Sequence, residues 1–352
     1  MKKDRSRVVL IQKKDGKSSA WARALPTGSS IKLRPLEGSP IHMPIALATY
    51  LISRKDRPVG IVFRYLNDYP SLLRTLVRSA SELFTLIIAI LLNVRVGWIC
   101  HNVDKESEAH FPWISKTRRW VLAKAARRVF VTSDLLLEPA SKALKIPQCQ
   151  LGVATFGRFS GERSVGDSLN SEVKNWVESR RASGVIVGLW IGSRAEKSHG
   201  GLQSLVNAVV DSGSRMAAVV VGASREWVQL ELDTKNCAST NIMFLPAQPL
   251  HPTEWREFDF VWKPCSDVST TVTSLIAAEV GVPLIVHKGT YLHHFVEHYS
   301  SGFSVDPNKF DFFQFSKDLS SWSSADDRIL ADNTWERGAA EILRLVEEGD
   351  KT

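Results

Sequence analysis

Short apolar runs alternate with longer amphipathic stretches along this chain, and the alternation predicts strand followed by helix almost throughout. In the first half, strands are expected at residues 7–12 (RVVLIQ), 59–65 (VGIVFRY), 95–101 (RVGWICH) and 128–132 (RVFVT), with a shorter one at 30–33. Helices are expected from about Ser18 or Ser19, at 44–53, at 72–92 and at 115–126. In the long helix 72–92, Arg74, Arg78 and Glu82 are read as the polar side. The strands are β-branched runs of the fully buried type, and the connections are long enough for crossovers. That combination argues a parallel sheet wrapped by helices.

Residues 152–167, rich in Gly, Ser and Arg, interrupt the pattern, which restarts after a polar helix at 169–180. Strands follow at 184–191 (GVIVGLWI), 216–222 (MAAVVVG), 242–245, 260–262, 284–286 and 304–305. Helices are read at 201–211, 227–233, 252–258, 272–280 and 334–347. The expected architecture is α/β: two Rossmann-like, doubly wound parallel-sheet domains in series. The N-terminal domain spans 1–157, a connection with its helix 158–180, the C-terminal domain 181–331, and a closing helix 332–352. Ligands of such sheets bind at the carboxyl ends of the strands, so the site is expected in the cleft between the domains.

Composition narrows the class. A chain of 352 residues with 44% hydrophobic and 23% charged positions suits two soluble domains. The net charge of +8 favours an anionic partner, a nucleotide or a membrane surface. Nucleic acid is the weaker option, because the basic residues follow no reader motif. Cys100, Cys149, Cys237 and Cys265 form no CxxC pair, so neither a zinc site nor a disulfide framework is indicated, and a cytoplasmic location fits. The N-terminus lacks a secretory pattern. The apolar run 83–92 (LFTLIIAILL) has about half the length needed to span a bilayer. Residues 113–128 (WISKTRRWVLAKAARR) carry many cations, two tryptophans and no acid. They read either as the basic outer face of a globular helix or as a segment lying on the anionic inner face of the cell membrane.

Three loops at expected strand ends could together hold a diphosphate. The first runs from Gly192 through Ser193, Arg194 and Lys197 to Gly201. Arg194 offers a bidentate donor, Lys197 a point charge and the glycines close backbone approach; the alternative is an exposed basic turn. It is not a Walker A loop, since the GKS/T ending is absent. The second begins at Gly222. The third, 266–271, carries Ser269, Thr270 and Thr271 into a helix N-terminus, which reads as a phosphate cradle or as an ordinary N-cap cluster. Gln248, following the strand 242–245, is placed to offer backbone groups to a nucleobase.

With these loops in view, the second half resembles the donor-binding domain of GT-B glycosyltransferases, where a Gly–Arg…Lys–Gly loop and a late loop–helix ending in G-x-P (here Gly281-Val282-Pro283) hold a nucleotide-sugar diphosphate. Trp98-Ile99-Cys100-His101-Asn102 with its acidic loop, and the FRYLNDYPSLL stretch, resemble bacterial exopolysaccharide enzymes, most closely the inverting β-mannosyltransferases of xanthan-type assembly. The Glu-x7-Glu pair of the large retaining family falls on Val268 and Ile276, so both carboxylates are missing. The resemblance therefore implies an inverting, metal-independent hexosyltransferase with no cofactor. Its donor would be GDP-mannose first and a UDP-sugar second; its acceptor a glycan or a polyprenyl-diphosphate-linked oligosaccharide.

Inversion needs one general base on the acceptor side. Glu106 is the first candidate, then Asp104 and Glu108, with Asp15 a further one on the acceptor side; a solvated acidic loop is the bland alternative. His101 and Asn102 are expected to shape that loop or contact the sugar. Two other readings stay open: a non-hydrolysing sugar-nucleotide epimerase on the same fold, and a catalytically silent glycosyltransferase-like scaffold.

Overall fold

The computed structural model describes residues 6–52, 56–106, 109–159, 169–192, 195–222, 229, 241–248, 250–263, 267–306 and 308–347, with the side chains of 193–200 outside that description. The chain forms two compact units, one of Met1–Gly157, Asp267–Thr270 and Asn333–Thr352, the other of Arg158–Ser266 and Thr271–Asp332.

The first unit holds β1 (Ser6–Ile11), β2 (Ile31–Pro35), β3 (Asp56–Phe63), β4 (Arg95–Ile99), β5 (Arg128–Val131) and β6 (Leu151–Val153). They form one parallel sheet in the order β2-β1-β3-β4-β5-β6. Its helices are α1 (Gly16–Arg23), α2 (Met43–Ile52), α3 (Leu72–Leu91), α4 (Pro112–Ala125) and α5 (Leu137–Leu144), joined by the C-terminal helix Trp335–Glu347. That last helix lies against the sheet at Gly97, where a Cβ would come within 3.0 Å of Leu345 and 3.1 Å of Phe130. The short α5 and the three-residue β6 were not foreseen, because neither is long enough to show a period.

The second unit holds α6 (Ser171–Ala182), β7 (Ile186–Ile191), α7 (Ala195–Asp211), β8 (Met216–Val221), β9 (Ile242–Leu245), β10 (Phe260–Trp262), α8 (Val272–Val280), β11 (Leu284–His287), α9 (Tyr291–Tyr299) and β12 (Gly302–Val305). Its six strands are also all parallel, in the order β12-β11-β10-β7-β8-β9. Every residue of β8 is buried, as expected of a strand covered on both faces. Residues 252–258 form a 3₁₀ helix, Pro252–Glu257, started by a His251/Glu254 capping box. The helix expected at 227–233 lies outside the described residues apart from Gln229.

Two expectations are reversed. Arg78 and Glu82 are 5% and 4% exposed: they face inward on α3, and the large apolar residues other than Leu86 face out wholly or in part. In α4 likewise, Arg118 and Arg119 are buried, so the basic outer face reduces to Lys116, Lys124 and the residues flanking them. The reason is a buried ion network. Arg118 donates to Glu82 at 3.0 and 2.7 Å and to Asp68 at 2.9 Å, while Arg78 donates to Glu82 at 2.9 Å and to the Tyr65 carbonyl. Two arginines and two carboxylates pair completely, which is the condition for tolerating charge in a core.

Candidate functional site

In each sheet the strand order reverses at one point, and in doubly wound sheets the crevice outside the carboxyl ends at that point is where ligands sit. In the second unit the reversal lies between β7 and β10, which pair directly. The loop that starts at Gly192 leaves β7, and the loop that leads to Thr271 leaves β10. Beside them, Gly222 follows β8 and Gln248 follows β9.

Gly192 and Gly222 touch. The Gly192 amide donates to the Val221 carbonyl at 3.1 Å, and Gly222 has a φ of +86°. A Cβ on Gly222 would stand 2.4 Å from the Gly192 carbonyl oxygen, so only glycine permits this approach. Ala247, next to the half-buried Gln248, packs on the same spot. Lys263 donates to the Ile191 carbonyl at 3.3 Å, tying the ends of β10 and β7. Thr271 is the N-cap of α8, its hydroxyl accepting from Ser274 N at 3.3 Å. Ser193 and Arg194 lie outside the described residues, and Lys197 sits in α7 with its side chain outside them.

The segment Asp267–Thr270 belongs to the first unit. There Val103 N donates to the Val268 carbonyl at 2.9 Å, and Val268 N donates to Asp104 Oδ1 at 3.3 Å. The acidic loop and the hydroxyl segment, both singled out from the sequence, are therefore neighbours. Ser269 and Thr270 are buried, and Thr270 Oγ1 has no hydrogen-bond partner among the described residues.

Within the acidic loop the two described carboxylates differ. Asp104 is exposed. Glu106 is buried and pairs with Arg119 at 2.5 Å; burial pushes its carboxyl above the usual range, against the pull of Arg119. Arg119 also donates to the carbonyls of Asn102 and Val103 at 3.0 and 2.6 Å. It is the pin of the loop, and Glu106 orients the pin. Asn102 is buried at the turn, its carbonyl accepting from the Cys100 thiol as well. Glu108 lies outside the described residues.

The strand-order reversal of the first unit, between β1 and β3, gathers a second cluster. Asp15 caps α1 in a capping box with Ser18 and pairs with Arg64, the residue after β3, at 2.7 Å. Burial raises the Asp15 carboxyl, but the Arg64 charge and hydrogen bond and the Ser18 amide outweigh it and hold it low. His101 stacks on Tyr65 with ring centroids 4.5 Å apart, and Phe156 lies 6.0 Å away on a nearly parallel plane. Burial, then the charges of Arg64 and Lys17, keep the imidazole neutral well below its usual range; its Nε2 has no hydrogen-bond partner among the described residues. Lys17 lies 4.5 Å from the Phe156 ring centre, and burial together with Arg64 and Lys13 brings its ammonium down to about 8.

Lys17 and Phe156 were not singled out from the sequence, and Arg64 and Tyr65 entered only within the FRYLNDYPSLL stretch, with no role of their own. Arg64 and Tyr65 close an ordinary-looking strand, and only the adjacency of β1 and β3 reveals their placement. Lys17, two residues after Asp15 in a strand-end turn, carried a signal that was available. Among the described residues, no group of three or more His, Cys, Asp or Glu is placed to hold a metal ion.

No protein-family model matches the chain, and no curated protein matches it either. Solved structures do. HepE of Anabaena in complex with UDP-glucose is 13% identical with a TM-score of 0.63, covering 96% of this chain and 99% of that one. Sucrose-phosphate synthase from Thermosynechococcus elongatus is 14% identical with a TM-score of 0.64, covering 98% and 99%. UDP-GlcNAc 2-epimerase from Methanocaldococcus jannaschii is 14% identical with a TM-score of 0.56, covering 97% and 100%. At these identities the likeness is one of fold: two Rossmann-like units, each on a six-stranded parallel sheet, the GT-B fold of its glycosyltransferase neighbours.

Proposed function

We propose that this chain is a glycosyltransferase that moves a hexose, with inversion and without a metal, from a nucleotide-sugar donor to a lipid-linked glycan in polysaccharide assembly. The observation that carries the reading is the position of the loops from Gly192 and to Thr271 at the strand-order reversal of the second sheet. The solved complexes of HepE with UDP-glucose and with UDP support a nucleotide-sugar partner. Mannose, from GDP-mannose, remains the favoured sugar on the sequence resemblance, with UDP-sugars second.

In this reading Gly192, Ser193, Gly222 and Gln248 approach the nucleotide, while Arg194 and Lys197 offset the charge of the departing diphosphate and Ser269, Thr270 and Thr271 hydrogen-bond it. Asp104 becomes the preferred base over Glu106, because its carboxylate is exposed whereas that of Glu106 is held by Arg119. The base takes the proton of the acceptor hydroxyl as that oxygen attacks the anomeric carbon and the nucleoside diphosphate leaves. Asp15, His101 and Asn102 lie on the acceptor side, where a neutral imidazole offers a hydrogen bond without charge.

The test is nucleoside diphosphate release from GDP-mannose and UDP-sugars with and without a polyprenyl-diphosphate-linked acceptor. Acceptor-dependent release is expected, and Asp104→Asn should lower turnover by about 10²–10⁴-fold. Undiminished turnover in that variant contradicts the base assignment. The likeness to the 2-epimerase favours one alternative, interconversion of a UDP-sugar with its epimer without acceptor; the same incubation, read for epimer formation, decides between them.

A further inference from the structure

Helix α3 is built inside out. Thr75, Arg78, Glu82, Thr85 and Ala89 recur at steps of three and four and are all buried. On the opposite side Leu73, Phe84 and Leu91 are 71%, 56% and 76% exposed, and Val77, Ile87 and Ile90 are exposed with them. The inward polar groups are paired: Arg78, Glu82, Arg118 and Asp68 form the ion network, and the Thr75 hydroxyl bonds both backbone groups of Tyr69. The inversion is therefore satisfied from within and leaves an apolar stripe about 30 Å long on the outside. Such a stripe exceeds what isolated surface hydrophobics produce.

Its neighbour α4 presents Trp113 and Trp120, 66% and 62% exposed, together with exposed Lys116 and Lys124. Arg74 on α3 is exposed too, and the only acid in either helix is the buried Glu82. A largely apolar cavity of about 340 Å³ opens between the two helices, lined by Leu76, Leu83, Trp113 and Val121 among others. Apolar stripe, tryptophans and lysines side by side match the acyl boundary, the interface and the anionic headgroups of a lipid surface. No helix among the described residues is long and apolar enough to cross a membrane, so contact would be in the plane. A second copy fits less well: two-fold pairing of this face brings Arg74, Lys116 and Lys124 of both copies together with no exposed acid on α3 or α4 to meet them.

We propose that the α3–α4 face docks on an anionic lipid bilayer, with the α3 stripe at the acyl boundary and Arg74, Lys116 and Lys124 against the headgroups. The proposal rests on the first unit alone and stands or falls apart from the transfer reading.

The experiment is co-sedimentation of the full chain with vesicles of phosphatidylcholine, with and without one-third phosphatidylglycerol, alongside sedimentation velocity without vesicles. The parent should pellet with the anionic vesicles. Leu73→Gln/Phe84→Gln/Leu91→Gln, confirmed folded by its melting curve, should remain in the supernatant. Lys116→Gln/Lys124→Gln should bind anionic vesicles about thirtyfold more weakly. A parent that stays in solution with anionic vesicles overturns the proposal. So does either variant binding like the parent, or a dimer that the triple variant dissolves in the absence of any vesicle binding.

Discussion

Arg64 holds more of the candidate acceptor site than any residue visible in the sequence as chemistry. Its guanidinium is fully buried, pairs with Asp15 and lies over the rings of Trp21 and Tyr65 at 5.3 and 4.7 Å. It also sets the charge of its neighbours, contributing to the depressed basicity of both Lys17 and His101. The lowered Lys17 value has a definite sign in stability. Between pH about 8 and its ordinary 10.5, the unfolded chain keeps a proton that folded Lys17 has lost. The folded state therefore gains relative stability as pH rises through that window, and the cost of the half-buried ammonium is greatest below it. Lys17→Met should raise the urea midpoint relative to the parent most near neutral pH, with the advantage shrinking towards pH ~10. A gap between the two proteins that is constant with pH would contradict the assignment. The same amine, largely deprotonated at pH ~9, should be acylated ahead of the other lysines, as read by peptide mass mapping; uniform labelling is the opposite result.

At the scale of elements, α3 shows both what the sequence discloses and where it misleads. Its length and its two faces are legible: the 3-4-3-4 spacing of Thr75, Arg78, Glu82, Thr85 and Ala89 is plain in the residues. Which face points inward is not, because the usual rule sends charge to water, and here Arg118, distant in sequence and itself paired with Asp68, reverses it. The consequence is measurable. Glu82→Gln, a nearly isosteric change, should destabilise by about 3–5 kcal/mol, since it removes the carboxylate that compensates two buried arginines. Leu73→Gln, on the outer face, should change stability by no more than about 0.5 kcal/mol. Equilibrium urea unfolding of both variants checks the pair, and a costly Leu73→Gln with a benign Glu82→Gln would mean the helix is turned the other way. The loops at strand ends show the same division. Gly192, Gly222 and Thr271 were readable because glycine and N-cap residues are required locally. The roles of Arg119 and Arg64 were not, because each depends on what the fold brings across from another element.

Over the whole molecule, buried-type strand runs and crossover-length connections disclosed two doubly wound parallel sheets, and the solved structures of similar fold agree. The order of strands, and so the place where each sheet reverses, was not readable, since nothing along the chain says which strand pairs with which. That order is what turns scattered loops into candidate sites, one around Gly192, Gly222 and Thr271 and another around Asp15, Arg64 and His101. The central claim is that the first of these takes a nucleoside diphosphate. Thermal unfolding with GDP, UDP, ADP and CMP at millimolar concentration tests it most directly, because a ligand confined to the folded state at a hundred times its Kd adds about 2.7 kcal/mol. A raised melting temperature with GDP or UDP, not matched by ADP or CMP, is the predicted result. Melting curves that coincide for all four with the unliganded protein would contradict the account.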